Sequence, residues 1–144
     1  MLIDRQYLQA KLHAVGGPRA ELVTWQQDAR GVTIVLHQAV PEDAMPSFLH
    51  SVLPDDLTIR RTETWSGFTG EVHAVVDGAP GTITGVMRLE PDPDGCVLGA
   101  QLTAEVPLPL FGGKVEKVIT DSVARLMESE YQFTLSWLRK SAGP

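Results

Sequence analysis

"VPLPLFGGKVEKVITDSVARLMESEYQFTLSWLR", residues 106–139, is the stretch that decides the fold of this chain. After two prolines and a Gly-Gly-Lys, one helical pattern runs from about residue 113 to 139. At ~1.5 Å per residue, that helix would be about 40 Å long. Its apolar positions share one face at 100° per residue: Val115, Ile119, Val123, Leu126, Phe133 and Trp137. The stretch therefore predicts a long amphipathic helix that packs on another layer of structure.

The Gly112-Gly113-Lys114 segment has two interpretations. A Walker-type phosphate loop requires G-x-x-x-x-G-K-[ST], and Val115 after the lysine breaks that pattern. A helix N-terminus can also bind an anion without the motif. The structural interpretation is stronger, because Pro107 and Pro109 would end a strand and the glycines would let the chain reverse. We expect a hinge.

Upstream of the hinge, the pattern predicts an N-terminal helix over residues 3–14, stopped by Gly16-Gly17-Pro18. Residues 20–106 then alternate between β-rich runs and turn signals, which indicates about six antiparallel strands. Two glycines inside these runs, Gly85 and Gly99, predict bulges or bends. A Pro- and Asp-rich connection separates the second and third strands, with a short helical turn expected at about 46–52. The fold class is therefore α+β.

Composition excludes several classes of protein. The chain has 144 residues, 43% of them apolar, and a formal net charge of −6, so it is the size of one globular domain and unlike a nucleic-acid binder. It has no apolar run long enough to span a membrane. A single cysteine, Cys96, and the lack of a signal peptide favour a cytoplasmic location. The four histidines show no metal-binding spacing, and we expect no metal or cofactor.

Glu130 is the most informative single residue, because it interrupts the apolar face of the long helix. Its carboxylate would anchor a ligand or act as a general acid/base, or it would be a structural ion pair or a group that reaches solvent. Arg61 is a candidate partner, on the same side of its strand as Glu63 and Trp65. The predicted cavity lining is Glu130, Leu126, Phe133, Trp137, Trp65, Met87 and Arg61, although core packing is the simpler role for the aromatic residues.

The hinge and helix, "VPLPLFGGKVEK" and beyond, resemble the actinobacterial DUF2505-like family of the START-like superfamily over residues 2–138. That superfamily has the helix-grip fold, also seen in the birch-pollen allergen, in which a curved antiparallel sheet wraps around a long C-terminal helix. The resemblance implies one helix-grip domain over residues 1–144, with a hydrophobic cavity between sheet and helix. The first strand of such a domain has no counterpart here, so we expect the true start to lie upstream of Met1, or a shortened domain whose unpaired sheet edge could form a homodimer.

The resemblance and the lack of a catalytic constellation favour non-catalytic binding of a small lipid-like or aromatic molecule. An alternative is a cyclase/aromatase- or hydrolase-like enzyme that acts in the same cavity with Glu130 or a strand histidine. A second alternative is a protein-interaction domain, as in the co-chaperone branch of the superfamily. The sequence does not specify the ligand, because apolar walls define size and shape more than chemistry.

Overall fold

A computed structural model describes residues 1–17, 19–39, 58–77, 81–107, 110 and 112–142. The connection predicted at 41–56, with its short helical turn, lies outside these residues, as does Pro109. The elements are, in chain order, α1 (Arg5–Val15), β1 (Glu21–Asp28), β2 (Gly31–Ala39), β3 (Thr58–Ser66), β4 (Thr69–Asp77), β5 (Thr82–Asp92), β6 (Gly95–Glu105) and α2 (Gly112–Ala142).

Capping determines the bounds of α1. The Asp4 carboxylate accepts a hydrogen bond from the backbone N–H of Tyr7 at 3.0 Å, so the helix begins at Arg5, two residues later than the apolar spacing suggests. At the other end, the N–H of Gly16 donates to the carbonyl of Leu12. The cap therefore places Ile3 before the helix, where its carbonyl accepts the indole N–H of Trp25 at 2.8 Å.

The six strands form one antiparallel sheet in the order β1-β2-β3-β4-β5-β6, so each strand pairs with its neighbours in sequence. Asp28 stabilises the first turn, because its carboxylate accepts the N–H groups of Arg30 and Gly31 at 2.7 and 3.2 Å. Gly31 has φ +148, a value that L side chains rarely adopt. The predicted α+β class, an antiparallel sheet followed by a long C-terminal helix, is confirmed and is consistent with the helix grip.

The register of the sheet corrects one prediction. The pairing of β5 with β4 and β6 is continuous through Gly85 and Gly99, so neither glycine forms a bulge. Gly85 instead permits a close approach, because a Cβ there would collide with the backbone of Leu102 at 2.9 Å. A register shift occurs between Leu22 and Thr24 in β1, a place without a glycine or proline signal.

The core lies between the inner face of the sheet and the two helices. Its buried residues come from α1 and from β2 to β5: Tyr7, Leu8, Leu12, Val32, Ile34, Leu36, Trp65, Val72 and Met87. Phe133 and Trp137 of α2 pack against this cluster. At the hinge, a second small cluster joins Val106, Val115 and Ile119. Within the described residues, no helix is both long and apolar enough to cross a bilayer.

Candidate functional site

A buried polar network lies on the inner face of β3. Strand alternation places Arg61, Glu63 and Trp65 on the same face, and Glu63 and Trp65 are buried there. The indole N–H of Trp65 donates to Oε2 of Glu63 at 3.0 Å, and the other oxygen of Glu63 pairs with Nη2 of Arg61. One strand thus carries a guanidinium, a carboxylate and an indole N–H donor that are joined by an ion pair and a hydrogen bond.

Glu130 of α2 meets this strand. Nη1 of Arg61 donates to Oε1 of Glu130 at 3.0 Å and lies 3.3 Å from Oε2, so the partner expected from the sequence is the one observed. Nζ of Lys11, on α1, lies 3.5 Å from the same Oε1. Two cations and two carboxylates therefore share one buried space, and together they connect α1, β3 and α2.

The network changes the acidity of its members. Burial alone would raise the pKa of Glu63, but the charges of Arg61 and Lys11 and the hydrogen bonds from Trp65 and Arg61 outweigh it. The pKa of Glu63 therefore lies below its usual value. Burial likewise disfavours the charged form of Arg61, yet the carboxylates of Glu63 and Glu130 raise its pKa above the usual range. Both residues therefore stay ionised at neutral pH.

A hydrogen-bond chain ties α1 to α2 beside the network. The hydroxyl of Thr134 donates to the backbone carbonyl of Glu130 at 2.7 Å, so its oxygen accepts a hydrogen bond from the Tyr7 hydroxyl, 2.6 Å away. The rings of Tyr7, Phe133 and Trp137 have centroids 5.9 to 6.1 Å apart. Burial is the main cause of a raised pKa at Tyr7. This arrangement fixes the C-terminal half of α2 on α1.

The rest of the apolar face of α2 is poorly covered. Among its described residues, only Val115 and Glu130 are buried, whereas Ile119, Val123 and Leu126 remain half-exposed. On the inner face of the last two strands, Leu89 and Leu102 are half-buried and Leu98 is 44% exposed. An amphipathic helix normally buries its apolar stripe. Partly accessible apolar side chains thus occur both on the inner face of the sheet and on the stripe of α2.

The predicted site residues divide into two groups. Glu130 and Arg61 are paired in the network, and Trp65 is bonded to it through Glu63. Met87 is buried in the core, with Phe133 and Trp137 packed against the same cluster, while Leu126 lies on the half-exposed part of the stripe. Whether any of them contacts a ligand stays a prediction.

Sequence reasoning missed Lys11 and the role of Glu63. Lys11 occupies an apolar-face position of α1, four residues after Tyr7, and Glu63 shares a strand face with Arg61. The charge at each of these interior-facing positions was the signal that could have predicted an ion pair, because charged residues are rarely buried without a partner. Reading the three charged interior positions together with Glu130 would have predicted the cluster.

A depression of about 470 Å³ lies on the opposite, outer face of the sheet, lined by Thr62, Thr64, Glu71, Val72, His73, Thr84, Gly85 and Val86. It is open and follows exposed strand surface, so we place the candidate site on the inner face instead. His73 is exposed on this outer side. In the described part of the chain, no three His, Cys, Asp or Glu side chains are placed to hold a metal ion.

Comparison with known proteins assigns this chain to a protein family. The family model described as "Protein of unknown function (DUF2505)" matches residues 1–138. The chain belongs to the DUF2505 family. Two mycobacterial proteins resemble this DUF2505 chain, the uncharacterized protein Rv0481c of Mycobacterium tuberculosis and the uncharacterized protein Mb0491c of Mycobacterium bovis. Each is 29% identical over 114 residues, which cover 74% of this chain and 66% of the relative. The chain thus spans just under two thirds of the length of these relatives.

Proposed function

We propose that this DUF2505 protein is a helix-grip domain of the START-like superfamily that binds a small hydrophobic molecule between the sheet and α2. The observation that carries the proposal is that the apolar stripe of α2 at Ile119, Val123 and Leu126 is only half-buried, as are Leu89 and Leu102 on the inner face of the sheet. Burial of such surface by a lipid-like or aromatic ligand would be favourable, at about 25 cal/mol per Å² of apolar area.

The buried network supports this interpretation because it fixes α2 over the inner face of the sheet, one helical turn from Leu126. Lys11, Arg61, Glu63 and Glu130 neutralise one another and join α1, β3 and α2. A ligand that enters along Leu126 would meet apolar walls first and this fixed polar cluster last. Small-molecule sites commonly combine apolar walls with a few placed polar groups.

Ligand binding can be tested with the fluorescent probe N-phenyl-1-naphthylamine and with native mass spectrometry of protein purified from its own host. We expect probe fluorescence to rise on binding, and a co-purified small molecule to appear as added mass. Leu126→Gln places an amide on the stripe and should weaken probe binding about tenfold. The matched control is Leu138→Gln, which makes the same change at a side chain that is 44% exposed and lies 120° around the helix.

Two results would contradict the proposal. One is the absence of probe binding and of any co-purified molecule in protein that is folded by circular dichroism. The other is equal weakening by Leu126→Gln and Leu138→Gln, because the stripe would then have no special role.

The enzyme alternative has less support from the geometry. Both oxygens of Glu130 are within reach of Arg61, and Oε1 also faces Lys11, so the carboxylate is occupied within the protein. A general acid or base needs access to the proton that it transfers. Turnover that is lost in Glu130→Gln, while the fold is kept, would restore this alternative.

The free edge of β6 favours a second candidate function, self-association through the sheet. Within the described residues β6 pairs only with β5, and its first ten residues, 95–104, carry no charge. Antiparallel pairing of two such strands brings no like charges together. The other edge is less suited, since Glu21 would face Asp28 of a second copy. Edges without charges, prolines or bulges are prone to such pairing.

This candidate predicts a homodimer that a single charge would disrupt. We expect Val97→Lys, on β6, to shift the mass in size-exclusion chromatography with light scattering from dimer to monomer. Val23→Lys makes the same change on the opposite edge and should leave the dimer intact; the two wild-type side chains are 53% and 43% exposed. A wild-type protein that is monomeric up to about 100 µM, on the scale of weak association, would refute the second candidate.

A further inference from the structure

Gln38 of β2 is a buried polar side chain that the network does not use. It is 2% exposed, and within the described residues neither its amide nitrogen nor its amide oxygen has a hydrogen-bond partner. The Nε of Arg61 is in the same state, although both terminal nitrogens of that guanidinium are paired. Oε1 of Glu63 also lacks a hydrogen bond, but it is ion-paired with Arg61. Buried polar groups in native proteins almost always find a partner, so the other two groups require an explanation.

The two orphan groups are neighbours on the inner face. Gln38 is opposite Ile59 and Leu36 is opposite Arg61, so Gln38 and Arg61 are diagonal neighbours across β2 and β3. Such diagonal positions are about 7–8 Å apart, within reach of long side chains. These atoms are closed to solvent, so a small polar group between them would have to displace neighbouring side chains; in that position it would accept from both N–H donors and donate to the oxygen of Gln38.

The charge balance of the network restricts what that group can be. Lys11 and Arg61 are matched by Glu63 and Glu130, so a further buried charge would have no counterpart. An uncharged group that both donates and accepts, a hydroxyl or a carboxamide, satisfies Gln38 and Arg61 without upsetting this balance. We infer that the ligand is an amphiphile whose neutral hydroxyl or amide head binds between Gln38 and Arg61. This inference rests on the proposed function and specifies the ligand class.

The test compares 1-decanol with decyl methyl ether and decanoate as displacers of N-phenyl-1-naphthylamine. The ether keeps an oxygen and a similar chain but lacks the O–H donor, and decanoate adds a charge. In the wild-type protein, we expect 1-decanol to displace the probe at about tenfold lower concentration than either compound. In Gln38→Leu, the preference for the alcohol over the ether should fall to about one, because the amide that would distinguish the two compounds is gone.

The melting temperature gives a second, ligand-free measurement. Because Leu removes an unpaired amide, Gln38→Leu should melt at the same temperature as the wild type or higher. His37→Leu alters the adjacent position on the opposite face of β2 and should leave the ratio of alcohol to ether affinity intact. A lower melting temperature for Gln38→Leu would show that the amide has a partner within the protein or a bound water, and would overturn the inference.

The outcomes separate the inference from the proposed function. Probe binding without a preference for the alcohol, or a preference that survives in Gln38→Leu, overturns the inference and leaves hydrophobic binding standing. If folded wild-type protein binds neither the probe nor any of the three compounds, the proposed function fails, and the inference fails with it.

Discussion

At the scale of single residues, the charged network determines what the interior tolerates. Glu130 and Glu63 are buried, and each depends on Arg61 for its compensation. Removing one member of a buried ion pair leaves an uncompensated charge, which costs more than the pair itself contributes. Individual substitutions in this cluster should therefore destabilise the protein far more than surface substitutions of the same type.

Glu130→Gln tests this dependence. It leaves Arg61 and Lys11 with one negative partner, Glu63, and we expect the free energy of unfolding to fall by about 3–5 kcal/mol. For a chain of this size the melting temperature would drop by roughly 10 °C. The control is Glu128→Gln on the exposed side of α2, where the carboxylate accepts from Gln132 and the loss should stay within about 0.5 kcal/mol. Similar losses in both variants would contradict the network.

The lowered pKa of Glu63 makes stability depend on pH in the acid range. A carboxyl whose pKa is depressed by folding stabilises the protein above its unfolded value, 4.5, and loses that contribution as the pH falls through the folded value. Urea unfolding between pH 7 and pH 3 should therefore show a difference between wild type and Glu63→Gln that is largest above pH 4.5 and shrinks below it. A difference that is constant over this range would contradict the assigned pKa shift.

At the scale of secondary-structure elements, the hinge aligns α2 with the sheet. The N–H of Val106, at the end of the last strand, donates to Oε1 of Glu116 in the first turns of α2 at 3.0 Å. A Cβ on Gly112 would lie 2.6 Å from the carbonyl oxygen of Val106, so only glycine permits this approach. The hinge is therefore a bonded junction and not merely a break between elements.

Glu116→Ala should measure how much this junction contributes to the free energy of unfolding. The buried N–H of Val106 would lose its acceptor, at a cost of about 1–3 kcal/mol in the free energy of unfolding. Glu116→Gln keeps an oxygen acceptor in place and should cost less than about 1 kcal/mol. The comparison is made by chemical unfolding of the two variants. Equal losses would mean that the charge of Glu116 matters and the hydrogen bond does not.

At the scale of the whole molecule, both helices and the sheet share one core. Trp25 of β1, Trp65 of β3 and Trp137 of α2 all contact the same hydrophobic cluster. We expect thermal unfolding followed by tryptophan fluorescence and by far-ultraviolet circular dichroism to give coincident transitions. Trp137→Phe removes the reporter on α2 and identifies its share of the signal. An earlier fluorescence transition that disappears in this variant would show that α2 undocks separately.

Much of this architecture could be predicted from the sequence, because turn residues and periodicity are local signals. Asp28 and Gly31 mark the first hairpin, and the 3.6-residue stripe marks α2. The pairing of Glu130 with Arg61 could also be anticipated, since a carboxylate on an apolar face requires a cation. The register shift near Val23 could not be predicted, because the sequence around it contains no glycine or proline.

The orphan amide of Gln38 was also beyond prediction. It continues the alternation of β2, and whether a polar side chain at such a position is satisfied depends on atoms of other strands. Lys11 is an intermediate case, since the sequence predicts its place on the apolar face of α1 but not its pairing with Glu130. Sequence periodicity thus assigns faces, whereas partners across the core depend on the three-dimensional register.

The hydrogen bond between Tyr7 and Thr134 joins residues that are 127 positions apart, while every strand pairs with its neighbour in sequence. During synthesis, neighbouring strands can pair one after another as they leave the ribosome, since four of the five strand connections are short loops and only the one between β2 and β3 is long. The part of the inner face that α1 does not cover would then remain accessible until α2 emerges. A hydrophobic molecule present at that moment could occupy the face before α2 docks, so the timing of translation would influence which ligand the protein first acquires.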